Sequence, residues 1–327
     1  MELIRGIHNL HSRHYGCVLT IGNFDGFHRG HQALVAALQT LSLKRRLPVM
    51  VMIFEPHPQE YFSGSDAPFR LTRLRDKVKY LAGAGIDAVL CVTFNRQFAS
   101  LSANAFVTEL LVKKLGVRFI GVGDDFRFGA RRLGNCALLT QAGKKAGFQV
   151  IKTMTYTEGD RRISSTAIRE ALSQDKLVEA EILLGHSYRI SGRVIRGAGL
   201  GRTINFPTAN VSLKGRQTPI NGVYTVEVCG IGERSLPGVA NIGIRPTLSG
   251  QVQRLELHLL DVAMNLYGQH IEVVIRTKLR DEQMFKSLDD LRRQIANDVV
   301  SARDFFGLAT PNHIQTENDI ENREWNG

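Results

Sequence analysis

The sequence predicts two domains of different class: an α/β N-terminal half on a parallel sheet, and an all-β C-terminal half closed by one helix. Three observations carry this. At 327 residues the chain is longer than one small domain needs. Up to residue 184 short apolar strands alternate with segments of helical spacing, the βαβ pattern of a parallel sheet covered on both faces. From Tyr188 onward strands dominate, punctuated by Gly and Pro, as in an antiparallel barrel or sandwich.

Residues 17–22 (CVLTIG) read as a buried strand leading into a glycine-rich loop. From His31 the spacing Leu34, Leu38, Leu41 is helical and ends in Lys44-Arg45-Arg46, cations that suit a helix C-terminus. Strands follow at 48–54, 88–94, 119–123 and 148–153, with helices at 72–82, 103–115 and 138–146 between them. In such a sheet ligands gather beyond the C-terminal strand ends, here at the loops after Gly22, Phe54 and Gly123. A helical stretch at 166–184 closes this half, which spans residues 1–184. The second half, 185–307, carries strands at 188–196, 222–229, 236–242, 253–260 and 270–277, then an amphipathic helix at 288–306. Residues 308–327 are polar and aperiodic and read as a disordered tail.

Composition narrows the function classes. No apolar run approaches the ~20 residues of a membrane span, and no basic segment precedes an apolar stretch at the N-terminus. Cys17, Cys91, Cys136 and Cys229 are scattered with no CxxC pairing, so reduced thiols and a cytoplasmic location are expected. The net charge of +11 is dispersed, and its densest clusters (Lys44-Arg45-Arg46, Arg131-Arg132, Arg161-Arg162) are only two or three residues long. That disfavours a nucleic-acid face, as do aromatics at 7%, and suits an enzyme with phosphate-bearing substrates.

The segment Gly22-Asn23-Phe24-Asp25-Gly26-Phe27-His28-Arg29-Gly30-His31 follows a strand and opens a helix. Glycines admit a phosphate close to the backbone, and the helix start offers free N–H groups at its positive end. His28 and His31, three apart, share a face and can donate to phosphate oxygens as charge develops in an in-line displacement. A core histidine pair, or a fragment of a zinc site lacking its other ligands, is the alternative. Further on, Ser164, Ser165 and Thr166 stand before a helix, flanked by Arg162 and Arg169. They can cap that helix and, with the arginines, hold the outer phosphates of ATP.

GNFDGFHRGH together with ISSTAIR resembles the HxGH nucleotidylyltransferases, which implies a Rossmann-like domain. FEPHP (54–58), FNRQFASLS (94–102) and VGDDFRFG (122–129) narrow the resemblance to the FAD-synthetase module of bacterial bifunctional flavin-cofactor enzymes. It implies that His28 and His31 stabilise the α-phosphate of ATP. It places Gly22, Asn23, Phe24, Asp25, Gly30, Asp125, Arg162, Ser164, Ser165, Thr166 and Arg169 around the nucleotide. Phe62 and Phe128 are the aromatics implied to stack on flavin or adenine, with a plain core position as the alternative. Some relatives carry Asn where Asp125 stands.

In the second half, Ser191 to Arg202 is a strand running into a glycine-rich loop with Gly197 and Gly201. It leads to Asn205-Phe206-Pro207-Thr208-Ala209-Asn210. Thr208 and Asn210, two apart on an extended segment, are hard oxygen donors that suit Mg²⁺; an ordinary turn after proline is the alternative. GRVIRGAGLGRTINFPTAN, GVYTVEV (222–228), GVANIGIRPT (238–247) and LELHLLD (255–261) resemble the riboflavin kinase module. That resemblance implies a six-stranded antiparallel barrel, with Thr208 and Asn210 at Mg²⁺–ATP beside Gly197, Gly201 and Arg202. It makes Glu256 the general base for the ribityl 5′-hydroxyl. Arg196 and Asn205 depart from the pattern of many relatives, which often show His and Gly there.

Taken together, the expected activities are phosphorylation of riboflavin to FMN and adenylylation of FMN to FAD. ATP is the co-substrate of both, Mg²⁺ the implied metal, and flavin is substrate and product. The expected partners are these small molecules, with no nucleic acid and no membrane, in a monomer or weak homo-oligomer.

Overall fold

Six parallel strands form the N-terminal sheet. The computed structural model describes every residue except 154–155, 160, 198–200, 202–203, 205, 215–216, 248–249, 263 and 310–327. The first strands are β1 (Glu2–Arg5), β2 (Val18–Ile21), β3 (Val49–Glu55), β4 (Ala88–Thr93) and β5 (Phe119–Gly123). A short hairpin of β6 (Arg127–Phe128) and β7 (Gly134–Asn135) precedes β8 (Gln149–Thr153). The sheet order is β1-β4-β3-β2-β5-β8. From β2 the chain winds outward to β3 and β4 on one side and to β5 and β8 on the other. The topological switch therefore lies between β2 and β5, where the loops after Ile21 and Gly123 diverge.

The strands are apolar without alternation because both faces are buried. Leu19, Met50, Met52 and Leu90 pack on one side, and Val18, Val51, Ile53 and Val89 on the other. Covering them are α1 (Arg29–Arg45), α3 (Leu74–Gly83), the short α4 (Arg96–Ala99), α5 (Ala103–Ala105), which continues as a π-helix over Phe106–Lys114, and α6 (Cys136–Ala146), while the short α2 (Pro58–Ser63) buries no residue. The edge strand β1 and the short helix α2 were not foreseen.

After the small hairpin β9 (Thr157–Glu158) and β10 (Arg161–Arg162) come α7 (Ser165–Ser173) and α8 (Leu177–Leu184). The stretch read as one helix is thus two, because Asp175 takes a left-handed conformation at φ 57° between them. Contacts divide the chain into Met1–Ile168 with Leu183–Gly185, and Arg169–Ile182 with the chain from His186 onward.

In the second unit, β11 (Arg189–Ile195), β12 (Ala209–Val211), β13 (Gly222–Cys229), β14 (Leu236–Thr247), β15 (Gly250–Leu259) and β16 (His270–Arg280) close an antiparallel barrel in the order β11-β12-β15-β14-β13-β16. The expected strands omitted β12, which begins within the PTAN segment and ends one residue beyond it. Tyr224, Val226, Ala240, Ile242, Leu255 and Leu257 fill the interior. The final helix α9 (Leu288–Phe306) starts at Ser287, whose hydroxyl accepts from the Asp290 N–H, and ends at Gly307 with φ 64°. Its Val299 and Ala302 cover Val223 and Val239 on the outer barrel face. Arg280 grips the buried Asp298 carboxylate of α9 through three hydrogen bonds of 2.8–3.1 Å. Among the described residues no helix is long and apolar enough to cross a membrane. The proposed tail lies outside the described residues except for its first two positions.

Candidate active sites

The loop leaving β2 turns sharply, with Phe24, Gly26 and Phe27 all at positive φ (49°, 83° and 42°). Two phenylalanines tolerate this because both rings are buried and anchor the loop to the core. His28 is the N-cap of α1, and its Nδ1 accepts the His31 backbone N–H at 3.4 Å. That hydrogen bond leaves the His28 proton on Nε2. The two imidazoles stack with centroids 3.6 Å apart. Gly30 keeps them in place, since a Cβ there would lie 3.2 Å from His28 Nδ1.

Burial dominates the electrostatics. It pushes His28 down to about 4, against the opposing charge of Asp25. It also holds His31 well below the ordinary imidazole range, helped by His28 and Lys77. Both rings are therefore neutral near pH 7, each with one N–H to donate. His31 Nδ1 and Asn23 Oδ1 are buried without a hydrogen-bond partner, so this loop carries polar atoms that the protein itself does not satisfy.

The other expected residues divide by role. Asp25 is buried, and its carboxylate accepts from the backbone N–H groups of Leu71 and Thr72 at 2.9–3.1 Å and from the Thr72 hydroxyl at 3.1 Å. Its carboxylate fixes the loop. Ser164 caps α7 through the Ala167 N–H at 3.2 Å, and Ser165 donates to the Asp25 carbonyl at 2.9 Å. Thr166 is exposed. Asp125 and Arg162 form an exposed ion pair of 2.6 Å. Arg169 belongs to the second unit. Phe62 is 70% exposed and meets Tyr61 and Phe94 edge-on. Phe128 lies in the core against Phe106 and Phe126.

Sequence reasoning missed the charged cluster behind the loop. Arg70 bridges Glu55 at 2.8 and 2.9 Å and also binds Glu60. Lys77 is 2% exposed, and burial lowers its pKa against the pull of Asp25. His57 caps α2 and is pushed down to about 4, chiefly by burial. FEPHP carries Glu55 and His57, α2 carries Glu60, the loop before α3 carries Arg70 and α3 itself carries Lys77, but their charges read as surface groups until the fold brings them together.

On the barrel, the glycine loop and the PTAN segment are tightly opposed. A Cβ at Gly197 would sit 2.1 Å from Asn210 Nδ2, and one at Gly201 would lie 2.2 Å from the Phe206 carbonyl oxygen and 3.1 Å from Thr208 Oγ1. The strand register sets Asn210 opposite Glu256, on the outward face. His258, next on that face, meets the Pro207 carbonyl at 2.9 Å and the Phe206 ring edge-on. Arg202 and Asn205 lie outside the described residues.

A parallel sheet with paired neutral histidines at its switch point, followed by a barrel with a bare glycine cradle beside a carboxylate, defines a two-domain ATP-using transferase. The family models agree: FAD synthetase matches residues 10–167 and riboflavin kinase residues 184–306. The bifunctional riboflavin kinase/FMN adenylyltransferase of Escherichia coli (strain K12) is 61% identical over 95% of this chain and 100% of its own. That of Haemophilus influenzae is 50% identical over 94% and 99%. A crystal structure described as a macrolide-efflux protein from Streptococcus pneumoniae shares the fold at TM-score 0.80 and 29% identity, covering 93% of this chain and 99% of that one.

The chain belongs to the bifunctional riboflavin kinase/FMN adenylyltransferase family. It phosphorylates riboflavin to FMN and adenylylates FMN to FAD, with the FAD-synthetase domain first and the kinase domain second.

Proposed function

We propose that His28 and His31 carry the adenylyl transfer and that Glu256, Thr208 and Asn210 carry the phosphoryl transfer. For the first site, the carrying observation is the stacked, neutral histidine pair at a helix start. A phosphate oxygen of FMN attacks the α-phosphorus of ATP, and pyrophosphate leaves. The fixed imidazole N–H groups and the α1 N-terminus stabilise charge on the α-phosphate oxygens as it develops. Asn23 and Gly22 lie along the same loop, and Arg162, Asp125 and Thr166 border it as nucleotide contacts. Asp25, Ser164 and Ser165 position the loop. Phe62 offers the flavin a ring face.

For the kinase site, the carrying observation is the pairing of Asn210 with Glu256 beneath the glycine cradle. Gly197 and Gly201 let bare backbone pack against Asn210 and Thr208, as a phosphate-binding loop needs, and the Thr208 hydroxyl and Asn210 carbonyl are donors that fit Mg²⁺. When bound, Mg²⁺ neutralises phosphate charge. Glu256 accepts the proton of the ribityl 5′-hydroxyl as that oxygen attacks the γ-phosphorus and ADP leaves. Free thiols at Cys17, Cys91, Cys136 and Cys229 support a cytoplasmic setting, and we read the enzyme as a monomer or weak homo-oligomer.

A mirror pair of variants tests the assignment. Glu256→Gln keeps shape but takes no proton, so FMN formation should fall ~10²–10⁴-fold while supplied FMN still becomes FAD. His28→Ala should cut FAD formation ~10²–10³-fold while FMN accumulates. Equal loss of both activities in either variant would refute the division.

A further inference from the structure

The outer face of the barrel carries a third polar side chain beside the proposed base. In the β14–β15 ladder Asn241 stands opposite Glu256, and in the β12–β15 ladder Asn210 stands opposite the same residue. Directly opposed residues on antiparallel strands point to one side of the sheet, so Asn210, Glu256 and Asn241 form one row. Their chain neighbours Ala240, Ile242, Leu255, Leu257 and Val211 are buried, which turns the row outward. The row ends at Val223, opposite Asn241 on β13, where α9 covers the barrel.

Asn241 is not satisfied by the protein. Its Nδ2 donates to Glu282 Oε1 at 3.3 Å, while its Oδ1 is buried with no donor. The Glu282 bond fixes which end of the amide is which: a flip would set Oδ1 against a carboxylate oxygen. Gly243, two residues along on the same face, makes room for this arrangement, because a Cβ there would lie 1.7 Å from Glu282 Oε1. The result is a rigid, desolvated acceptor one strand from the base. Buried acceptors are rarely left unpaired, and one held so deliberately calls for a donor from a ligand.

We propose that Asn241 is a substrate-recognition residue of the kinase site, its Oδ1 accepting a hydrogen bond from a ribityl hydroxyl other than the one that is phosphorylated. The inference rests on Glu256 marking the 5′-hydroxyl. An interstrand spacing of about 4.8 Å suits two hydroxyls of one short polyol chain, held by adjacent strands. Asn241 then selects for the polyol and sets its register against Glu256. The isoalloxazine ring gains nothing from this contact.

Binding to the full-length protein separates these roles. Riboflavin and lumiflavin, which lacks the ribityl chain, are titrated by flavin fluorescence against the parent and Asn241→Ala, alongside steady-state kinase assays. Asn241→Ala should raise the riboflavin Kd and KM about tenfold, the loss typical of one good hydrogen bond. The lumiflavin Kd and the KM for ATP should stay within about twofold, and FAD formation from FMN should not change. Riboflavin and lumiflavin weakened alike, or an unchanged riboflavin KM, would overturn the proposal. If Asn241→Ala melts too low to assay, Glu282→Ala frees the amide from an exposed position, and the same several-fold, riboflavin-only loss is expected. Full kinase activity in Glu256→Gln would remove the base assignment while leaving the Asn241 effect on riboflavin readable.

Discussion

Ser165 donates its hydroxyl to the backbone carbonyl of Asp25 at 2.9 Å, fastening the first turn of α7 to the loop that leads into the two histidines at the start of α1. The same loop is held from the other side, where the Asp25 carboxylate collects the N–H groups of Leu71 and Thr72 ahead of α3. Transition-state donors act only when they are already in place. The two attachments supply that rigidity around His28 and His31.

Asp25→Asn should therefore loosen the adenylyl site without touching the kinase. The new amide presents N–H groups to backbone donors in a buried position, at a cost of about 2–3 kcal/mol. Calorimetry should show a lower first transition, and FAD formation should fall at least tenfold while FMN formation from riboflavin holds. A parental FAD rate with unchanged melting would show that the loop needs no such clamp.

The histidines set a pH signature of the opposite kind for rate and stability. His28, with its pKa pushed down to about 4 by burial, stays neutral through the range in which an ordinary imidazole titrates. The FAD-forming rate should show no inflection near 6.5 that belongs to this ring. Stability behaves differently, because the unfolded chain binds protons at these histidines that the native state refuses. The stabilisation is complete above about pH 6.5 and is lost as pH falls toward about 4, with His57 adding to the loss in the same window. Thermal melts between pH 7 and 5 should decline, and His28→Gln should flatten the decline. A rate that titrates with a midpoint near 6.5 and vanishes in His28→Gln would contradict the neutral assignment.

Much of this was legible in the sequence for a physical reason: local motifs need local geometry. HxGH puts its histidines on one helical turn, and PTAN puts Thr208 and Asn210 on one face of an extended segment. The partners of Asp25 were not legible, since Leu71 and Thr72 lie 46 and 47 positions away and join through backbone N–H groups that no side-chain pattern marks. Asp175 hid the break between α7 and α8 because a single left-handed residue leaves helical spacing nearly intact on both sides. The strand β12 is too short for alternation to show. Asn241 sits within GVANIGIRPT, but only its register with Glu256 marks it out.

Gly197→Ala probes the kinase cradle directly. The added methyl would meet Asn210 Nδ2 at 2.1 Å, so the Asn210 side chain must rotate away while the barrel stays folded. The expected outcome is a KM for ATP raised about tenfold, with melting nearly unchanged. In an Asn210→Ala background the same glycine change should add almost nothing, the non-additivity of two residues that act through one contact. Additive losses would mean that Gly197 serves the site independently of Asn210.

The helical segment before the barrel should prove part of the kinase's folding unit. Asp175, in the left-handed link between α7 and α8, accepts from the Tyr224 hydroxyl at 2.9 Å and from Lys278 Nζ at 2.6 Å. Tyr224 is fully buried inside the barrel, so its hydroxyl depends on partners that reach in, Asp175 and the Asn221 carbonyl. Ser187 adds a bond of 2.7 Å to Glu181 of α8. A fragment starting at His186 discards all of these except the Asn221 contact, whereas one starting at Ser164 keeps them. The loss of a buried, charge-assisted hydrogen bond costs about 1.5–3 kcal/mol, which lowers melting by several degrees per kcal/mol in a domain of this size. The longer fragment should therefore melt clearly higher and phosphorylate riboflavin with full activity. Asp175→Asn in the whole chain isolates the cause, because Asn tolerates the left-handed backbone but brings no charge to Lys278. If both fragments melt together and Asp175→Asn is silent, the barrel stands without α7 and α8, and the division of the chain at residue 185 is the physically meaningful one.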